Sequence, residues 1–328
     1  MNKNNNIIIV PGEPKSIFFE IFFKAIKILN PKSPLILICN KELLIKETKR
    51  YKFKKKIYCI NLNELKKKKI ETGKIYSINI PFKKISDNHL NRIYLNDYIK
   101  TTFDVGLKLI KKKFSNKFLN GPINKEKFLK KKYLGVTEYI TSKFKNCKTG
   151  MLIYNENLSV SPITTHLPIQ LVSKKITKKI LIQKIRIVEN FFKKILKRNP
   201  RIGVTGLNPH CESILDFNED NIISNTVKKL VEDNINIKGP YPADTVFLRE
   251  NRKKFDVIIG MYHDQVLTPI KTLYEYDAIN ITMGLPFLRV SPDHGPNEKM
   301  VNKNVSNPTS LIKALEFLDQ IWLKQKKV

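Results

Sequence analysis

Residues 256–265 read DVIIGMYHDQ. Val257, Ile258 and Ile259 form a short β-branched run of the kind that fills a strand buried on both faces, and it stops almost at once on His263 and Asp264. A stretch fit for burial thus ends on two groups that bind metals and move protons. Two other apolar runs end in the same way: LSVSPITTH closes on His166 and RIGVTGLNPH on His210.

Working outward, NIIIV (6–10), PLILIC (34–39), KIYCINL (56–62) and YSINIPF (76–82) read as further strands. Between and after them come helical patterns. Apolar residues recur at three- and four-residue spacing over 91–114, an amphipathic helix is expected within 168–198, and a last one near 308–325. MLIYNENLSVSPI predicts a hairpin turning at Asn155. Buried strands alternating with helices predict an α/β protein with a largely parallel or mixed sheet. No internal repeat and no Pro- or Ser-rich linker divides the chain.

In an open α/β sheet the carboxyl ends of parallel strands share one edge, and ligands bind there. His166, His210 and His263 are therefore expected to converge. Three neutral imidazoles with an open position suit a catalytic divalent ion, and zinc, magnesium, manganese and cobalt all remain open. Asp264 follows His263 directly, and Asp244 sits in GPYPADTVF; a carboxylate beside a bound imidazole fixes its tautomer. Downstream, Lys271, Asn280 and Arg289 supply two cations and an amide, which suit a phosphorylated or carboxylated substrate.

Charge points elsewhere at first. The chain carries 61 Lys and Arg against 29 Asp and Glu, a formal charge of +32. Its lysines, however, are scattered in short runs such as 54–56, 66–69 and 130–132, and Gly numbers only 12 of 328 against a usual share of roughly 7%. A background biased to Lys, Ile and Asn accounts for this without a polyanion partner, and no zinc-finger, RGG or RNP-like motif is present. Neither nucleic acid nor a membrane is expected as partner. Four well-separated cysteines with no CxxC pair, and no apolar run long enough for a membrane span, fit a cytoplasmic protein.

Taken in order, PITTHLP, GLNPH, GPYPADTVF, MYHDQ and INITMGLPFLRVSPDHG, preceded by VPGEP and GPINK, resemble the 4-hydroxythreonine-4-phosphate dehydrogenase family of vitamin B6 biosynthesis, over residues 9 to about 300. The resemblance implies a three-layer α/β/α fold like that of isocitrate and isopropylmalate dehydrogenases, with two subdomains and a cleft. Residues 1–118 plus 285–328 would form the cofactor side, and 119–284 the metal, substrate and dimerisation domain. It implies a homodimer whose subunits share His166, His210 and His263 as metal ligands. Val136, Thr137, Lys271, Asn280 and Arg289 would meet substrate, and Asp244, Asp264 and Lys125 are the candidates for proton transfer. There is no GxGxxG; Gly12, Glu13, His294 and Gly295 would instead contact NAD or NADP.

The implied reaction oxidises 4-phosphooxy-L-threonine to 2-amino-3-oxo-4-phosphooxybutanoate, which loses CO₂ to give 3-amino-2-oxopropyl phosphate. Against the family pattern, Val136 stands where a histidine is usual, and GEPKSIFFE replaces a more glycine-rich loop. A threonate or erythronate 4-phosphate is the alternative substrate. A basic binding protein that keeps only the fold is the alternative from another class.

Overall fold

The computed structural model of the chain describes residues 5–67, 70–82, 88–124, 133, 135–213 and 218–325. It divides into two compact units, residues 1–143 with 286–328 and residues 144–285, against divisions expected at 118 and 284.

In the first unit six parallel strands lie in the order β3-β4-β2-β1-β5-β12: β1 Ile7–Val10, β2 Leu35–Cys39, β3 Ile57–Cys59, β4 Ile75–Asn79, β5 Lys117–Asn120 and β12 Leu288–Pro292. Helices α1 (Phe18–Ile28), α2 (Lys41–Arg50), α3 (Leu62–Lys67), α4 (Asn88–Lys111), α5 (Val136–Thr141) and α10 (Thr309–Gln325) surround it. Side chains alternate between sheet faces, so register assigns the layers. Ile8, Ile36 and Phe118 are aligned neighbours, and Gly106 of α4 sits against Phe118, Val10 and Ile38. That face carries α4. The other face, with Ile7, Ile9, Leu37 and Lys117, lies towards α10, whose Asp319 acts on Lys117.

Lys117 is 2% exposed. Burial lowers its ammonium from the usual 10.5 to about 8, with Asp319 opposing. Because the folded value lies below the unfolded one, unfolding takes up a proton between those pH values, and stability rises as pH climbs through the window. The group should add about 3 kcal/mol between pH 7 and 10.5. Lys117→Met should be more stable than wild type at pH 7 and lack this slope; chemical denaturation of both proteins at pH 7 and 10 measures the difference, since all other titrations cancel.

The second unit orders its strands β11-β6-β7-β10-β8-β9: β6 Gly150–Tyr154, β7 Ser159–Pro162, β8 Ile202–Thr205, β9 Ile237–Tyr241, β10 Val257–Gly260 and β11 Ile279–Met283. β6 runs antiparallel to both neighbours; β7, β10, β8 and β9 are parallel. The β6–β7 hairpin turns at Asn155, whose Oδ1 accepts the Asn157 N–H at 2.9 Å and whose Nδ2 donates to the Asp277 carbonyl. Helices α6 (Lys178–Phe191), α7 (Glu219–Glu232), the single-turn α8 (Arg249–Arg252) and α9 (His263–Tyr274) complete the unit. VIIG is wholly buried, and Ile258 packs with Ile153, Val160, Val266 and Ile270. Among the described residues no helix is long and apolar enough to cross a membrane.

Candidate functional site

β7, β10 and β8 are adjacent and parallel, so their carboxyl ends form one edge of the second unit. His166 follows β7, His210 follows β8, and His263 follows β10 as the first residue of α9. His166 and His263 lie with ring centres 6.0 Å apart and line a cavity of about 290 Å³ with Thr164, Leu167, Ile169, Val172, Tyr262 and Asp264. Two imidazoles on one tetrahedral ion place their ring centres roughly 5 Å apart, so this pair is spaced close to what a shared divalent cation needs. His263 Nδ1 is 2.7 Å from Asp264 Oδ1, which holds the Nδ1–H tautomer and leaves Nε2 as the free lone pair.

His210 does not line this cavity. It sits exposed in a single 3-10 turn, Pro209–Cys211, and among the described residues no group of three His, Cys, Asp or Glu is assembled to hold a metal ion. His166 and His210 share a left-handed backbone, at φ +50° and +57°, a conformation that costs a non-glycine residue about 1 kcal/mol or more and clusters at functional sites. Asp244 is exposed in the turn after β9. Burial pushes the neighbouring Cys211 thiol up, and Asp220 and Asp244 add to the rise. Lys271 on α9 and Asn280 on β11 are half-buried.

In the first unit the matching edge is formed by β1, β5 and β12, and the loop after each carries one of the quoted motifs. Gly12 adopts φ +82°, and a Cβ there would lie 2.3 Å from the Pro122 carbonyl, so VPGEP and GPINK cross in near contact. Asn124 Nδ2 lies 3.5 Å from Glu298, and the Ile17 N–H reaches the Pro296 carbonyl at 3.2 Å, which brings DHGPNEK to the same edge. Gly12, Glu13, His294 and Gly295 thus stand on neighbouring loops, with Glu13 buried and Gly295 exposed. Lys125 lies outside the described residues.

Arg289, 3% exposed on β12, donates from Nε to Asn120 Oδ1 at 2.8 Å, and its Nη1 is 3.5 Å from Thr137 Oγ1. Burial lowers its guanidinium to about 10, with Glu138 opposing, so it is still a cation at neutral pH. Thr137 and the half-buried Val136 open α5. Three residues without a role in the sequence reading also appear here. Asn120 orients Arg289, and Gln265 and Asp220 bond to the loops that carry the histidines. Gln265 stands within MYHDQ and Asn120 directly before GPINK, but Asp220 has no comparable signal.

The family model described as "Pyridoxal phosphate biosynthetic protein PdxA" matches residues 31–318. A 4-hydroxythreonine-4-phosphate dehydrogenase from Sulfurihydrogenibium sp. is 34% identical over 321 residues, covering 95% of this chain and 96% of its own. Among solved structures, a 4-hydroxythreonine-4-phosphate dehydrogenase from Klebsiella pneumoniae superposes with a TM-score of 0.79 at 24% identity, over 97% of this chain and 99% of that one. The more distant β-decarboxylating dehydrogenase from Thermococcus kodakarensis, at 9% identity, shares the fold with a TM-score of 0.50 over 97% of this chain and 83% of its own. A match over most of the chain, together with a relative of that identity along nearly its whole length, shows that this chain belongs to the pyridoxal phosphate biosynthetic protein PdxA family.

Proposed function

We propose that the chain oxidises 4-phosphooxy-L-threonine to 2-amino-3-oxo-4-phosphooxybutanoate, which decarboxylates to 3-amino-2-oxopropyl phosphate, in pyridoxal phosphate biosynthesis. One observation carries the reading: three histidines leave the carboxyl ends of three adjacent parallel strands, two of them facing across one cavity. When bound, a divalent ion (zinc, magnesium, manganese or cobalt) would supply Lewis acidity to the substrate hydroxyl, and NAD or NADP would take up hydride.

The chain's own residues do the rest. His166 and His263 would hold the ion, Asp264 would keep the His263 Nε2 lone pair available, and His210, outside that cavity in the single chain, would supply a third nitrogen in the homodimer. Asp244, exposed in the turn after β9, is the carboxylate that takes the hydroxyl proton, while Asp264 stays engaged with His263. Arg289, Lys271, Asn280 and Thr137 bind the anionic groups of the substrate, while Val136 adjusts which phosphorylated hydroxy acid is accepted. Loss of CO₂ then sends its electron pair to the new carbonyl. Gly12, Glu13, His294 and Gly295 contact the nicotinamide cofactor. Ile169, 65% exposed on the wall of the histidine cavity, and Leu171 two residues on, 42% exposed, leave apolar surface for the partner of a homodimer whose subunits complete each other's site.

The test is reduction of NAD and of NADP by metal-loaded protein with a panel of 4-phosphooxy-L-threonine, threonate 4-phosphate and erythronate 4-phosphate. Turnover of the first, abolished by a chelator and restored by added ion, is expected. Preference for either acid would move the substrate, and no turnover of any of the three would sink the proposal.

A further inference from the structure

We infer that Gln265 is a positioning residue that clamps the His210 loop to the His263 turn, and so sets the spacing of two candidate metal ligands. The role rests on the metal reading above. Gln265 Oε1 accepts the Met261 N–H at 2.7 Å and the Thr205 hydroxyl at 2.9 Å, while Nε2 donates to the Gly206 carbonyl at 2.8 Å. Met261 lies two residues before His263, just past β10; Thr205 and Gly206 end β8 and begin the loop to His210. The partners dictate the amide's orientation, since a carbonyl oxygen meets only donors and an NH₂ only acceptors.

The same connections reach the remaining histidine. Thr164 Oγ1 donates to the Met261 carbonyl at 2.8 Å, which ties down the loop bearing His166. Asp220, buried at the start of α7, accepts from the backbone N–H of Leu207 at 2.8 Å and of Asn208 at 3.0 Å, and from Asn208 Nδ2 at 2.9 Å. The loop is thereby fixed up to two residues before His210. Space is as constrained as bonding: a Cβ on Gly260 would fall 2.4 Å from Val266 Cγ1 and 3.0 Å from Gln265 Oε1. All three loops that carry candidate ligands are therefore tied, directly or through one neighbour, to Met261 or Gln265.

The same two strands provide their own control. At their amino ends Asp256 accepts from the Arg201 backbone N–H at 2.8 Å and from its guanidinium at 3.2 Å, joining β8 and β10 far from the histidines. A residue that merely ties these strands together should behave alike at either end.

The experiment titrates Co²⁺ into full-length metal-free protein, following visible absorption and competition with a chelator, alongside thermal melting. Gln265→Ala should weaken Co²⁺ binding ten- to a hundredfold and change the spectrum. Gln265→Glu, which keeps both acceptor bonds but sets a carboxylate against the Gly206 carbonyl, should also lose affinity. Asp256→Ala and Asp256→Asn should lower the melting temperature yet bind Co²⁺ within about twofold of wild type. Wild-type affinity and spectrum in both Gln265 variants would overturn the inference, as would an equal loss in the Asp256 variants. If wild type itself takes up no Co²⁺, the metal reading falls and this role falls with it, whereas the other two outcomes leave that reading standing.

Discussion

His166→Ala should lower metal-dependent nicotinamide reduction by roughly a thousandfold or more, equivalent to about 4 kcal/mol of transition-state stabilisation. The ring lies 6.0 Å from that of His263, tilted by 35°, and is one of the two imidazoles that a single chain brings to this cavity. Removing it leaves His263 without its neighbour. A loss of folding would mimic this result, and the backbone supplies the control. His166 is held at φ +50°, where alanine keeps the strain of a left-handed residue and glycine does not. His166→Gly should therefore be at least as stable as His166→Ala, and both should be equally inactive. Activity within tenfold of wild type in either variant, measured by reduced-cofactor absorbance at saturating metal, would remove His166 from the ligand set.

The strand ends were legible because burial and chemistry write opposite signals into adjacent residues. VIIG cannot be solvated and HDQ cannot be buried unpaired, so the transition between them marks the sheet edge. The hairpin at Asn155 was legible for a similar reason, since an Asn-rich break between apolar runs has few other uses. Helix α1 was not. FFEIFFKAIKI does place Glu20, Lys24 and Lys27 at helical spacing, but Glu20 is buried and the paired phenylalanines suit a strand equally well, so periodicity alone leaves the stretch unassigned. β5 was also hidden, because KFLN begins with a lysine that only tertiary packing buries.

Residue type alone put forward the histidines and Arg289 as candidates, while the groups that orient them escaped notice. Asn120, Asp220 and Gln265 act on partners whose placement depends on the fold: the Arg289 guanidinium, two loop amides and a carbonyl. Such partners have no spacing in the sequence. For His210 the sequence predicted the correct edge, but its ring does not line the cavity shared by the other two. Convergence of strand ends is a statement about backbones, and the turn geometry at Pro209–Cys211 decides where the side chain goes.

Arg289→Lys should lower kcat/KM for the phosphorylated substrate by roughly a hundredfold, mostly through KM, with a much smaller effect on folding. The native guanidinium has a fork of donors. Nε is committed to Asn120 Oδ1, Nη1 approaches Thr137, and the planar group offers bidentate contact to an anion. A lysine ammonium at this depth is a single point charge, and burial would lower its pKa as it does for Lys117. It cannot both satisfy Asn120 and grip a phosphate. Two further arms separate charge from orientation. Asn120→Ala retains the cation but frees its plane, and should raise KM with kcat nearly unchanged. Wild type examined across pH should hold KM steady until the cation is lost near pH 10, above which KM climbs, because the deprotonated guanidine no longer attracts a dianion. Arg289→Ala would also leave Asn120 Oδ1 buried without its donor, at a cost of about 1–3 kcal/mol in stability, so the lysine variant is the cleaner probe. An unchanged KM in Arg289→Lys would show that the phosphate is held elsewhere and that Arg289 serves the packing of β12 against β5 alone.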